Sequence, residues 1–124
     1  GYMGLAQIDM LREDYVNGID HINRSLYRNW LNHKGRQLKT SFLRKTGDYA
    51  QAEALINESL LMDKFNMGCR FESYLINILQ GKSEEAAAAK AEMKALMRGA
   101  VHSYLEYAID YASAGMYVEA AQLL

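Results

Sequence analysis

Proline is missing from the sequence altogether, and cysteine occurs once, at Cys69. Without proline, nothing inside the chain interrupts a helical hydrogen-bond ladder. A single cysteine excludes an internal disulfide, a zinc site of several thiolates and a Cys-x-x-Cys redox pair. Alternating β-branched runs, the usual strand signal, are scarce as well. No apolar run approaches the roughly 20 residues a membrane span requires, and Gly1-Tyr2-Met3-Gly4 lacks the basic-then-apolar order of a signal peptide. Neither sign of charge is in excess: 14 Lys and Arg against 15 Asp and Glu give a formal net charge of −1. That balance supplies no electrostatic reason to expect nucleic acid, an anionic membrane or a strongly acidic substrate. A cytoplasmic rather than periplasmic location is expected, with the provision that an address signal could lie upstream of residue 1.

What is present favours helices. Half of the 124 residues are apolar and 23% are charged, the balance of a folded chain. Ala, Leu, Met, Glu, Lys and Gln are abundant, and these side chains lose little freedom in a helix. Self-similarity gives the arrangement. Gly47, Gly81 and Gly115 are 34 residues apart, and an alanine follows each by five: Ala52, Ala86 and Ala120. Tyr49 and Tyr117 follow the first and last glycine by two. One period upstream lie Tyr15 and Leu26, but Glu13 and Gly18 stand where the glycine and alanine belong. In a helix-turn-helix unit the glycine leaves one helix through a positive φ, the small residue allows close packing, and the tyrosine plugs the gap. The expected helices span about 3–12, 15–28, 33–46, 49–62, 67–80, 84–98 and 101–114, with the last from 117 onward. Ser83 is expected to cap the sixth helix, and Arg98-Gly99 to end it.

On these residues the sequence resembles the tetratricopeptide repeat family. The last unit carries the resemblance best, through Tyr104, Tyr107-Ala108, Tyr111, Gly115, Tyr117, Ala120 and Leu124; Leu5-Ala6 is the matching large-small pair of the first. Lys39-Thr40 and Ser73-Tyr74 depart from that pair, and Trp30, Lys64 and Arg98 replace the proline that usually closes a unit. The resemblance implies an all-α fold, a right-handed solenoid of antiparallel helix pairs with about 3.5 repeats. One domain, 1–124, would divide into units of about 1–32, 33–66, 67–100 and an incomplete 101–124. The stretches Asn29–Lys34, Leu38-Lys39, Leu43–Lys45 and Tyr104–Gly115 are also similar to the C-terminal repeats of large bacterial proteins of unknown function. In that group such repeats follow a β-rich region often associated with carbohydrate-utilisation genes.

No constellation for chemistry emerges, so no catalytic residue, metal or cofactor is expected. His21, His33 and His102 have no second histidine, and no cysteine, at helical ligand spacing. Cys69 reads as a buried structural thiol; its alternative is a dyad with His33 or His102. Glu13-Asp14 and Glu84-Glu85 are adjacent, point apart on a helix and suit solvated helix starts. Two glycosylation-like triplets, Asn23–Ser25 and Asn57–Ser59, fall inside expected helices. The basic run Lys34, Arg36, Lys39, Arg44 and Lys45, with Arg24 and Arg28 upstream, reads as a solvated helix whose stems cover apolar surface, against a ligand-binding alternative.

In the resembled family the first helix of each pair lines a concave surface. A partner groove here would take Lys34, Gln37, Ser41 and Arg44 from one unit, Phe71, Leu75 and Ile78 from the next, and His102, Leu105 and Ile109 from the last. A basic edge beside an apolar floor suits an amphipathic helix or an extended segment carrying an acidic residue. The alternative is that Phe71, Leu75 and Ile78 are core. The family's carboxylate clamp is absent, because Gln37, Ser41, Glu72, His102 and Glu106 occupy its positions. The expected function is a non-catalytic protein-binding or scaffolding module for a protein or peptide, another part of the same parent chain included. The alternative is a helical accessory or oligomerisation segment of a larger carbohydrate-related enzyme. Leu123-Leu124 at an apparently cut helix suggests continuation into further sequence or burial against another copy of the chain.

Overall fold

A computed structural model describes the backbone of residues 1–98 and 101–123, and the side chains of 1–98 and 105–123. Every regular element among them is an α-helix: α1 (Tyr2–Leu11), α2 (Tyr15–Arg28), α3 (His33–Lys45), α4 (Tyr49–Met62), α5 (Met67–Leu79), α6 (Ser83–Met97), α7 (Val101–Ser113) and α8 (Tyr117–Leu123). These lie within a residue or two of the expected boundaries. The expected stop at Gly99 and the end at Leu124 fall outside the described residues. No helix among the described residues is long and apolar enough to cross a membrane.

The 34-residue period is written into the backbone. Gly47, Gly81 and Gly115 have φ of 79°, 72° and 79°, and Glu13, one period earlier, adopts 57°. All four turns close in the same way. In the second, the Gly47 amide bonds to Arg44 O at 3.1 Å and the Asp48 amide to Leu43 O at 2.9 Å; in the first, Glu13 bonds to Met10 O at 3.1 Å and Asp14 to Asp9 O at 2.8 Å. This pairing satisfies the last carbonyls of the outgoing helix, and it requires a left-handed residue at the turn. Glu13 therefore takes a conformation that an L side chain pays strain to adopt.

Helix starts repeat as well. Asp14 and Asp48 accept from Asn17 N and Gln51 N at the heads of α2 and α4, while Asn32 and Asn66 accept from Gly35 N and Cys69 N at the heads of α3 and α5. Each cap answers an amide the helix itself leaves open. The third unit departs from the pattern: Lys82 holds the cap position of α6 without a side-chain bond, and Ser83, expected as the cap, is the first helical residue.

Three-residue turns fold α1 onto α2, α3 onto α4, α5 onto α6 and α7 onto α8. Successive pairs meet through α2 on α3, α4 on α5, and α3 on α5. Gly18, which replaces the repeat's alanine, is explained by Phe42: a Cβ there would lie 2.1 Å from Phe42 Cε1. The Asn17-Gly18 pair, a hairpin signature elsewhere, thus sits inside α2 because the ring of the next unit fills the missing side chain's place. Tyr15 contacts Phe42 edge-on at 6.3 Å. Tyr15 and Tyr49 are partly buried in this plugging role, but Tyr117 is not: it is 68% exposed.

The core divides in two. The smaller part joins Leu43, Ala52, Leu55, Ile56, Cys69 and Ile76 between the second and third units. The larger runs from Ala6 and Met10 through Leu26, Leu38, Phe42 and Phe71 to Tyr111, Met116 and Leu123. Leu123, expected at a bare apolar end, is therefore packed inside. α3 lies at the centre, with Gly35–Leu38 and Thr40–Arg44 all buried.

Two substitutions test the shared turn. Gly47→Ala meets nothing within 4 Å of the new Cβ, so its cost is backbone strain alone, about 1 kcal/mol. Glu13→Gly relieves strain at the equivalent turn and is expected to raise stability by up to about 1 kcal/mol after the added unfolded-state entropy. Urea unfolding midpoints check both; a neutral Gly47→Ala or a destabilising Glu13→Gly would count against a common left-handed turn.

Candidate functional site

The first helix of each pair turns one face inward, and the residues expected to form a groove divide by their place there. Gln37, Ser41, Arg44, Phe71 and Leu75 are buried, whereas Ile78, Leu105 and Ile109 are 46%, 51% and 63% exposed. Lys34 is half-exposed at the rim. The His102 side chain lies outside the described residues. The groove floor is filled by the chain itself: α7 and α8 lie across the inner faces of α1, α3 and α5.

Several contacts fix that closure. Tyr111 of α7 is 1% exposed and its ring meets Phe71 of α5 edge-on at 5.1 Å. Its hydroxyl donates to Glu72 Oε1 at 2.7 Å. Lys34 Nζ lies 3.4 Å from Glu106 Oε1 and 3.5 Å from Asp110 Oδ2. Gly115, in the turn between α7 and α8, sits against Leu11 of α1 so closely that a Cβ would come within 2.5 Å of Leu11 Cδ2.

At the centre is a buried polar network that the sequence reading did not find. Arg44 Nε donates to Glu72 Oε2 at 2.6 Å, and its Nη2 reaches Glu119 Oε2 of α8 at 3.4 Å. Ser41 donates to Glu72 Oε1. Glu72, 0% exposed, thus collects a guanidinium and an alcohol from α3 and a phenol from α7. Burial alone would lower the Arg44 pKa, but Glu72 outweighs it and holds the guanidinium above its usual value. Burial, reinforced by Glu72, pushes Tyr111 well above an ordinary phenol, so it remains a donor. Burial would raise Glu119 too, yet a hydrogen bond from Lys45 and the charge of Arg44 bring it below the usual carboxylate range. The Glu119 contribution to stability is therefore present above the unfolded carboxylate pKa of about 4.3 and fades as pH falls through the lower folded value.

These contacts correct the solvated reading of the basic run. Arg36 is 0% exposed and Arg44 is 5% exposed. Arg36 donates from Nε to Ser59 Oγ at 2.9 Å and from Nη1 to Trp30 O at 3.2 Å, stacks over the Trp30 ring at 4.3 Å and lies 3.3 Å from Glu58. Trp30, where the resembled family places proline, closes the first unit by capping this arginine. Glu72 left a faint trace in the sequence: it is a carboxylate amid Phe71, Tyr74, Leu75 and Ile76, on a face that should be apolar. His21 also finds a carboxylate unseen by helix spacing, with Nδ1 at 2.5 Å from Asp9 Oδ2.

Beside the buried network there is little room for a small molecule. Beneath Tyr111 and Gln37 a half-open cavity measures about 40 Å³, enough for a water or two, while ligand pockets run to about 300 Å³ or more; a wider and more open depression of about 580 Å³ lies along α1, lined by Tyr2, Leu5, Ile8 and Arg28. Cys69 is fully buried, and burial pushes its thiol up to about 11, which leaves almost no thiolate at neutral pH. Among the described residues no group of three or more His, Cys, Asp or Glu is placed to hold a metal ion. What the site does chemically is hold helices: it is a charged, hydrogen-bonded clasp between first helices and the last pair. No protein-family model matches the chain, and no curated protein matches it.

Removing Glu72 alone, as Glu72→Leu, leaves Arg44 buried without its main partner and is expected to cost about 3–5 kcal/mol. The double change Arg44→Met with Glu72→Leu removes both charges and is expected to recover at least about half of that loss. Chemical denaturation of Glu72→Leu, Arg44→Met and the double variant decides; a double variant as unstable as the sum of the two singles would show that no coupled pair exists.

Proposed function

We propose that this chain is a non-catalytic protein-binding or scaffolding module, built from tetratricopeptide-like helix pairs arranged as a short solenoid whose inner face holds a helical segment. The observation that carries this reading is α7–α8 itself. An amphipathic helical hairpin with carboxylates at Glu106, Asp110 and Glu119 lies on the inner faces of α1, α3 and α5, against Lys34 and Arg44. A surface that accommodates one acidic helix in this way is the kind that recognises helices. The repeating turn at Glu13, Gly47, Gly81 and Gly115 supports the solenoid part of the reading.

With the floor occupied, a partner meets the outward ridge of α7, where Leu105 and Ile109 stand one turn apart and exposed, flanked by the ammonium of Lys34 at the rim. That ridge suits the apolar stripe of an amphipathic helix. Burying two such side chains contributes about 1.5–3 kcal/mol each. The double variant Leu105→Lys with Ile109→Lys is expected to keep the helical content and the unfolding midpoint while weakening partner capture at least about tenfold. Affinity capture from an extract of the source cells, wild type against variant, measures this. An unchanged set of captured proteins would contradict the proposal.

A further inference from the structure

The repeat covers one face of α3 and of α5 but leaves the same face of α1 open. Gly35 and Phe42 of α3 face α2: a Cβ on Gly35 would lie 3.2 Å from Leu26 Cδ2, and the Phe42 ring fills the place of the side chain that Gly18 lacks. One period later, Cys69 and Ile76 of α5 pack with Ala52 and Ile56 of α4, beside Leu60. The covering helix has the same order both times, a small residue followed at four-residue steps by two aliphatic ones: Gly18, Ile22 and Leu26, then Ala52, Ile56 and Leu60. One period before Gly35 and Phe42 stand Gly1 and Ile8. Here Leu5 and Ile8 are 45% and 44% exposed, and with Gly1, Tyr2, Gly4 and Arg28 they line the depression of about 580 Å³.

Two features of that depression go unused within the chain. Gly18, Gly35 and Gly68, the glycines inside α2, α3 and α5, each sit where a Cβ would press on a neighbouring side chain, whereas a Cβ at Gly4 meets nothing within 4 Å. Internal packing does not call for glycine at a position where alanine would favour the helix, but a closely approaching second backbone does. The other feature is Arg28. Arg24 pairs with Asp20 at 3.1 Å, but among the described residues Arg28 has no carboxylate at ion-pair distance; it lies over the Tyr2 ring at 5.0 Å. A guanidinium resting on a ring keeps its fork of donors free for a carboxylate.

We propose that this face of α1 seats one further α-helix, contributed by a partner protein, with a small residue opposite Ile8, aliphatic residues four and eight positions later, and an acidic residue near its C-terminal end for Arg28. The occupant is a helix because a helix covers the equivalent face of both α3 and α5, and because so open a depression would leave a small molecule largely in water. Charge is complementary as well, since a cation beside the last turn also favours the carbonyl end of a helix. The proposal takes from the binding-module reading only that the occupant is a partner; its surface is on α1, not on the ridge of α7.

A synthetic peptide copying Asp48–Asp63 carries the pattern in Ala52, Ile56 and Leu60 and ends on a carboxylate, so it serves as the probe. Titrated into the isotope-labelled full chain, it is expected to shift the Leu5 and Ile8 methyl signals, the Gly4 amide and the Arg28 Nε–H. Ile8→Lys and Arg28→Glu are each expected to weaken it at least about tenfold. Gly4→Gln is expected to weaken it as much while raising the urea midpoint, because glutamine is the better helix former; loss of folding cannot produce that combination. The variant Leu105→Lys with Ile109→Lys is expected to bind the peptide unchanged, which separates failure of this seat from failure of the α7 ridge. No shifts at millimolar peptide, shifts centred on α7, or equal binding of a peptide carrying Ala52→Phe would overturn the proposal.

Discussion

Arg44 keeps its proton at any pH a protein normally meets, so a charge buried at that position has to be answered inside the molecule. Glu72 answers it, at 2.6 Å, from the neighbouring first helix. The consequences spread from this pair. The carboxylate has a second oxygen to satisfy, and Ser41 and Tyr111 do so. The guanidinium has donors left over, and Glu119 takes two of them. Three first helices and the last helix are thereby held in one register. A buried ion pair returns little net stability against its desolvation. Its effect here is geometric, because a slip of any one helix leaves a charge or a hydroxyl without its partner.

The same constraint explains why the most polar helix is the most enclosed. α3 carries Lys34, Arg36, Lys39, Arg44 and Lys45, yet helices pack around it on several sides. Its two arginines can be buried because each is surrounded: Arg44 by Glu72 and Glu119, Arg36 by Trp30, Ser59 and Glu58. Lysines keep to the rim, with Lys34 and Lys45 reaching carboxylates at partly exposed positions. The division follows the chemistry of the two side chains, since a planar guanidinium is less strongly hydrated and binds several acceptors at once.

How much was legible in the sequence depends on the range of the interaction. Helix boundaries and the left-handed turn are set by neighbours a few positions apart, and the spacing of Gly47, Gly81 and Gly115 exposes them, but that spacing does not single out the caps Asp14, Asn32, Asp48 and Asn66. The place of Ser83 was misjudged by one residue, because the turn after Gly81 keeps the phase and puts Lys82 at the cap. Pairings across 28 to 75 positions, such as Arg44 with Glu72 and Glu119, leave no periodic signature. A basic residue on a helix reads as solvated until its partner is seen. The groove residues illustrate the same limit. Their helices and register were readable, but not that α7–α8 lies over Gln37, Ser41 and Phe71, since a regular period by itself implies that the last pair continues the stack.

That closure is the feature from which the network and the filled groove both follow. It brings Gly115 against Leu11, two residues that an evenly continued row of helix pairs would hold apart. A nuclear Overhauser spectrum of the wild-type chain reads this contact directly. The account expects cross-peaks between the Leu11 methyl groups and the α-protons of Gly115, together with cross-peaks from the Tyr111 ring to Phe71. Absence of both, with α7 showing cross-peaks to the outward alanines of α6 instead, would contradict it.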